Sequence, residues 1–246
     1  AQQILIRQII ASGLVDQIAR RWPEGEIPDD DDWNASKRNY LILRRAYQCM
    51  TLPQKPVFIH PSSYIYSRGL SDENGDDLPY QPEFVVYYTL HKSETAGGNQ
   101  EKEREKRTYM HYVTVIEPYW LLNIAPHLCM TSDPLESPKP FYDEQNDCIK
   151  CYVEVRFGPF QWELPRQTVA ISNEKLRYQW FARLLLEGEI YKQLKCIQPY
   201  LQHRPRIITD DKYAMVSNKA VIGLVSKLQE HKIDTRFKLK LAFTKN

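Results

Sequence analysis

Between residues 3 and 20, apolar positions recur every three to four residues, at Ile4, Ile6, Ile9, Ile10, Leu14 and Ile18. That spacing predicts an amphipathic helix despite Gly13. Pro23, Gly25 and Pro28 then interrupt an acidic stretch that reads as a loop, and a second short helix is expected over about 35–47. From Pro56 to Ile116 the period changes to two: Val57–Ile59, then Glu83–Leu90, then Thr108–Ile116. In the second run Phe84, Val86, Tyr88 and Leu90 alternate against Val85, Tyr87 and Thr89, so these segments are expected to be strands of one sheet. Polar loops are expected over 67–81 and 93–106. Pro118 suits the first turn of a helix that buries Trp120, Leu121 and Ile124.

Pro134, Pro138 and Pro140 mark a linker, with a domain boundary expected near residue 135. Beyond it, Ile149, Cys151, Val153, Val155 and Phe157 alternate as a strand, and a further strand is expected near Phe160–Leu164. Ser172 or Asn173 can cap a helix whose stripe is Leu176, Trp180, Phe181, Leu184 and Leu185. A last helix is expected over about 218–231, followed by a basic, strand-like tail. The resulting fold class is α+β.

Composition narrows the function classes. With 246 residues, 42% hydrophobic and 26% charged, the chain can bury one large or two small cores. No run approaches the roughly 18–20 apolar residues of a membrane helix, and Ala1 is not followed by a signal-like segment, so an intracellular piece of a larger protein is expected, with no membrane partner. Five unevenly spaced cysteines do not suggest a disulfide framework. The formal charge of +2 hides a segregation: acid at 24–32, and base over 166–206 and 227–245.

No phosphate-cradling Gly-Lys-Ser/Thr loop, Gly-x-Ser-x-Gly or His-Glu-x-x-His occurs, so no catalytic residues are assigned. Cys148-x-x-Cys151 is half a zinc motif, but residues three apart on a strand face opposite ways, and no metal is expected. The six histidines lie near no nucleophile motif and read as isolated structural residues. The positive indication is aromatic: Tyr64, Tyr66, Tyr87, Tyr88, Tyr109 and Tyr112 lie on or beside strands with Lys92, Arg107 and His111 interleaved. Bases can stack on such a surface, although a tyrosine on a strand can equally fill the core.

Four ordered blocks sharpen this: VFIHPSS at 57–63, PEFVVYYTL at 82–90, RTYMHYVTVIEPYWL at 107–121, and Ala125-Pro126. Together they resemble the C-terminal oligonucleotide-binding fold of DEAH-box RNA helicases. IRQIIASGLVDQIARR at 6–21 resembles the last helix of the helical-bundle (ratchet) domain before that fold. RFGPFQWELP at 156–165 and RYQWFARLLLEGEI at 177–190 resemble an extra C-terminal domain in the branch acting in small-ribosomal-subunit biogenesis, which releases U3 small nucleolar RNA. The sequence departs from the family in the acidic insert after Trp22, the insert at 72–77 and the charged loop near Glu101.

The resemblance implies three parts: 1–48 as the end of the helical bundle with its linker, 49–134 as a five-stranded OB-fold-like barrel, and 135–246 as a small α/β domain. It implies a nucleolar or nuclear parent whose ATP and Mg belong to a motor N-terminal to Ala1, with no cofactor in this segment. The implied partners are that helicase core, single-stranded RNA (precursor ribosomal or small nucleolar RNA) and a coactivator of the small-subunit processome. Ser62, Ser63, Lys92, Arg107 and Tyr109 are the candidate RNA-binding residues. The alternative is a docking module that recruits an assembly factor without touching RNA.

Overall fold

A computed structural model describes residues 2–23, 46–67, 69–71, 77–79, 81–93, 107–210 and 219–244. The expected acidic loop after residue 23, the second helix up to residue 45, residues 72–76 of the insert and 94–106 of the charged loop lie outside these; Tyr47, at the expected helix end, begins a strand, and the loop expected over 67–81 holds a small hairpin. The described residues form two compact units, and they do not divide at one point of the sequence. The first holds residues up to 130 together with 156–165, and the second holds 131–155 and 166–246.

The first unit opens with helix α1 (Gln2–Gly13). The expected helix over 3–20 is thus cut short. After Gly13 a single 3-10 turn, Val15–Gln17, leads into strand β1 (Ile18–Arg21). Ile18 fits the helical spacing from Leu14 but also begins a period-two run, and burial of both Ile18 and Ala19 in the sheet favours the strand. Arg7 pins α1 in place. Its Nε donates to the Val115 carbonyl at 2.7 Å, Nη2 meets Glu117 Oε1 at 3.3 Å, and the guanidinium lies 4.9 Å from the Trp120 ring centroid.

The sheet continues with β2 (Tyr47–Cys49) and β3 (Leu52–Ile59). A short helix α2 (Tyr64–Ser67) and a separate small hairpin, β4 (Gly69–Ser71) with β5 (Asp77–Pro79), follow. Next come β6 (Phe84–Val86), β7 (Thr89–Lys92), β8 (Thr108–His111) and β9 (Thr114–Ile116). The hydrogen-bonded order is β7-β8-β3-β2-β1-β6-β9. Since β6–β7 and β8–β9 are halves of two bent strands, this linear order is a five-strand ring. β3 and β8 run parallel, and the closing pairs β1–β6 and β6–β9 are antiparallel. The helix expected after Pro118 is a 3-10 turn, Pro118–Trp120, running into α3 (Leu121–Ile124), with Trp120 and Leu121 buried.

Strand parity sorts the side chains. Ala19, Tyr47, Cys49, Val57, Ile59, Val85, Tyr87 and Met110 fill the interior. Tyr87 donates or accepts a 2.8 Å hydrogen bond with Thr51 Oγ1, and burial pushes its phenol pKa well up. The alternation expected across 83–90 fails after Tyr87, because the bend between β6 and β7 reverses which parity faces inward. Phe84 and Val86 face out, yet Leu90, of the same parity, packs on the core.

One part of the outer surface is covered. Trp162 stands edge-on to Phe84 at 6.0 Å, stacks with Phe157 and Phe160, and donates from Nε1 to Gln48 Oε1 at 2.7 Å.

A second sheet pairs β11 (Phe141–Asp143) with β12 (Cys148–Phe157), and β12 in turn pairs with β13 (Trp162–Ala170) and with β10 (Cys129–Thr131); β11 and the parts of β12 up to Val155 and of β13 from Arg166 belong to the second unit. Cys148 and Cys151 lie at alternate-parity positions of β12; Cys151 is buried, and its Sγ lies 3.6 Å from the Val169 carbonyl. Helix α4 (Glu174–Leu186) is capped by Asn173, which accepts from the Leu176 N–H at 3.2 Å. Helix α5 (Lys219–Glu230) follows.

The tail expected to be strand-like is instead helix α6 (Arg236–Thr244). FKLKLAF alternates apolar and basic residues, but the helix start is specified elsewhere. Thr235 Oγ1 accepts from the Lys238 N–H, and the Asp147 carboxylate accepts from the N–H groups of Arg236 (3.0 Å) and Phe237 (3.2 Å). Asp147→Ala is expected to cost about 1–2 kcal/mol, read as loss of hydrogen-exchange protection confined first to α6.

Candidate nucleic-acid interface

The face made by β3, β8 and β7 is the part of the barrel exterior that carries polar aromatic groups. The register pairs Phe58 with Tyr109 across β3–β8, and His91 with Tyr109 and Thr89 with His111 across β7–β8. Phe58, Tyr109, His111 and His91 therefore share one side, opposite Val57, Met110 and Leu90, and His60 follows in the same parity. Phe58 is closed over by Trp22, Ala46 and partly Tyr109. Beyond it the surface opens into a strip of imidazoles. His60 stacks on His111 with centroids 4.3 Å apart, His91 meets His111 edge-on at 4.8 Å, and Tyr109 meets His60 edge-on at 5.5 Å.

Three of the six histidines, read from sequence as isolated, thus form one cluster. Partial desolvation, then the nearby His60 and His91, hold the His111 pKa below the usual 6.5. A stacked pair directs its ring nitrogens side by side instead of at a common point. Among the described residues no group of three His, Cys, Asp or Glu is placed to hold a metal ion.

The strip ends at the strand bends. Tyr88 and Tyr112 sit where both bent strands break, joined by the Tyr88 N–H donating to the His111 carbonyl at 3.1 Å. Their rings meet edge-on at 6.1 Å and are 58% and 80% exposed. Tyr112 is also left-handed, with φ +53°. A bulky residue there costs of order 1–3 kcal/mol of backbone strain, so a strained, exposed aromatic marks a place where the side chain has a use. Tyr64, 77% exposed, extends the aromatic surface beside Ser62 and Ser63.

The residues selected from sequence are spread over this region without forming one cluster. Tyr109 is half-buried within the histidine strip. Lys92 ends β7 opposite Thr108, of the opposite parity to His91 and Tyr109, and its exposed side chain lies at the strand end. The Arg107 N–H donates to Ser93 Oγ and its carbonyl accepts from the Ser93 N–H, closing the β7–β8 ladder.

Ser62 is exposed, and both its N–H (3.1 Å) and its Oγ (2.6 Å) are bonded to His60 Nδ1. That nitrogen accepts, so the neutral ring carries its proton on Nε2. Ser63 accepts the Ile65 N–H at 3.4 Å and begins α2. Of the tyrosines named from sequence, Tyr87 is core, whereas Tyr88 and Tyr112 are the open pair. The histidine cluster could have been found by aligning β3, β7 and β8 in register; spacing within single strands does not reveal it.

A five-strand ring with a parallel β3–β8 pair and an exposed aromatic face has the architecture of an oligonucleotide-binding barrel. The profile described as oligonucleotide/oligosaccharide-binding (OB)-fold matches residues 6–128, and the chain belongs to that family. It carries the OB-fold segment of DEAH-box RNA helicases: it is 30% identical, over all of its length, to the ATP-dependent RNA helicase DEAH13 of Arabidopsis thaliana. It is 31% identical over 83% of its length to the probable ATP-dependent RNA helicase DHX37 of Homo sapiens, and 28% identical over 90% to the probable ATP-dependent RNA helicase kurz of Drosophila melanogaster. The chain spans only 15–16% of each of these relatives.

Proposed function

We propose that this chain guides single-stranded RNA, and docks a protein partner, within an ATP-dependent DEAH-box RNA helicase acting in small-ribosomal-subunit (pre-18S) biogenesis in the nucleolus. The observation that carries the RNA reading is the strained, exposed Tyr112 paired with Tyr88 at the end of the histidine–Tyr109 strip. Bases stack on such rings whatever their identity, so the RNA contacted is set by the parent's targeting and not by base readout here. Tyr109 and the imidazoles continue the strip, and Lys92, Arg107, Ser62 and Ser63 supply donors at its margins. ATP and Mg would be bound by the helicase motor of the parent.

The resemblance of residues 156–165 and 177–190 to the branch that releases U3 small nucleolar RNA supports the ribosomal assignment, as does the similarity to DHX37 over 83% of the chain. For docking, the supporting feature is α6, which leaves Phe237, Leu241 and Phe243 exposed beside Lys240. The expected partner is a coactivator of the small-subunit processome. Phe237→Ser with Phe243→Ser should abolish its capture while leaving RNA affinity unchanged.

Photo-crosslinking of 4-thiouridine RNA to the 246-residue chain tests the RNA reading. Adducts should map to Tyr88, Tyr109 or Tyr112. Adducts confined to residues outside β3, β7, β8 and their bends would overturn it.

The strip also gives the interaction a pH dependence. A phosphate near His111 favours the imidazolium and raises its pKa, so protons are taken up on binding. RNA affinity should therefore rise as pH falls below the ordinary imidazole value of about 6.5, towards the lower range in which His111 takes up its proton. For the free protein the sign is opposite. With the folded pKa of His111 below 6.5, the unfolded chain protonates first, and this residue's contribution to stability declines as pH drops from 6.5 towards the folded value. Titration of Kd from pH 8 to 5.5 in the wild type and His111→Gln checks this; identical profiles would exclude His111.

A further inference from the structure

The second unit holds a cleft of about 520 Å³ walled by Arg183 of α4 and Glu187 just past its end on one side and by the segment 198–206 on the other. Arg183 and Glu187 neutralise each other at 2.8 Å, and Lys139 adds a second cation to Glu187 at 2.9 Å. Arg183 also donates to Thr209 Oγ1 at 2.7 Å, and its guanidinium lies 4.6 Å from the Trp180 centroid. Lys139 also pairs with Glu189, so the charges of that wall balance. The opposite wall differs: Arg204 and Arg206 flank Pro205, both are exposed, and neither pairs with a carboxylate among the described residues. Proline restricts the backbone between them, so the points from which the two guanidinium forks reach the cleft are set.

We infer that this cleft binds the phosphodiester backbone of single-stranded RNA, as a second RNA contact formed by residues wholly distinct from those of the barrel. Two unpaired arginines suit either a phosphate or a carboxylate ligand, and the rest of the lining decides between them. Protein segments bind through apolar anchors inserted into desolvated pockets, and this lining offers only the half-buried Leu201 and Pro205. A phosphodiester chain needs no apolar pocket, since releasing its counterions supplies the driving force. Immediately before the cleft, Tyr200 is 86% exposed, a free ring on which a base next to a bound phosphate can stack. Gln202, also exposed, adds amide donors for a phosphate or a 2′-hydroxyl.

The inference shares only its ligand class with the proposed function, so the two can fail separately. The test is fluorescence anisotropy on the full 246-residue chain with a labelled, unstructured 20-nucleotide RNA, titrated with salt. The wild type is compared with Arg204→Glu/Arg206→Glu, with the milder Arg204→Gln/Arg206→Gln, and with Tyr88→Ala/Tyr112→Ala. Both arginine variants should keep the wild-type melting temperature, because the altered side chains are exposed. The glutamine pair should weaken binding roughly tenfold at low salt and reduce the slope of log K against log salt by about 1.4, the share of two phosphates on a single strand. The glutamate pair should weaken it further.

Loss of binding in the arginine variants with the tyrosine variant unaffected would uphold the cleft and refute the barrel strip. Wild-type affinity and slope in both arginine variants would overturn the cleft, whatever the tyrosine variant does. A poly-glutamate peptide that binds the wild type more tightly than RNA, and is lost in the arginine variants, would also overturn it in favour of an acidic protein ligand.

Discussion

Replacing Tyr88 and Tyr112 together by alanine should weaken single-stranded RNA binding about a hundredfold, with each single change costing about tenfold. Stacking of a base on an exposed aromatic ring is worth about 1–3 kcal/mol, and the two rings can serve two bases. The alternative is that these tyrosines are merely surface residues of the barrel bends, and Tyr112→Gly separates the two readings. Tyr112 has φ +53°, a conformation that glycine adopts without steric cost. That substitution removes strain while it removes the ring, so the melting temperature should stay level or rise as RNA affinity falls. A ring that served packing alone would show the reverse: loss of stability and no change in affinity.

Trp162→Ala should be the most damaging single substitution in the first unit, at about 3–5 kcal/mol. The indole is 3% exposed, contacts Phe84, Phe157 and Phe160, and satisfies its N–H on Gln48. Truncation leaves a cavity beside Phe84 and strands the Gln48 amide oxygen. The loss should appear in denaturant unfolding as a lower midpoint. Because Phe84 and Val86 are consecutive outward positions of β6, hydrogen exchange should rise at β6 and β1 before β3 and β8. Trp162→Phe keeps much of the packing and loses the Gln48 hydrogen bond, so it should recover most of the stability.

What could be read in the sequence, and what could not, follows from the range of the forces involved. Alternation in 57–59, 83–90 and 108–116 was enough to expect strands of one sheet, since period-two burial is local, and the ordered blocks, through their family resemblance, implied an OB-like barrel. A cap at Ser172 or Asn173 was legible, because such a bond spans only three residues, and the structure selects Asn173. Three features were not. Ile18 satisfied helical and strand spacing at once, and burial in the sheet decided for the strand. The start of α6 depends on Asp147, some ninety residues away in sequence, so FKLKLAF read as a strand. The histidine cluster needs the β3–β8 and β7–β8 registers, and a register is a property of paired strands. Among the candidate site residues, Tyr109 lies in the strip, Lys92 belongs to the opposite parity, and the serine hydroxyls already have partners. The open tyrosine pair was named only as part of a larger group that included the buried Tyr87.

The most direct test of the central claim is RNA binding by the isolated 246-residue chain as a function of salt. With phosphates bound at the margins of the strip, log K should fall linearly with log salt, by about 0.7 for each phosphate contacted. A stacking contribution that salt does not remove should persist, and Tyr88→Ala/Tyr112→Ala should lower the whole line with little change in slope. No measurable binding at about 50 mM salt, with the coactivator still captured, would contradict the account and leave this chain a protein-docking segment alone.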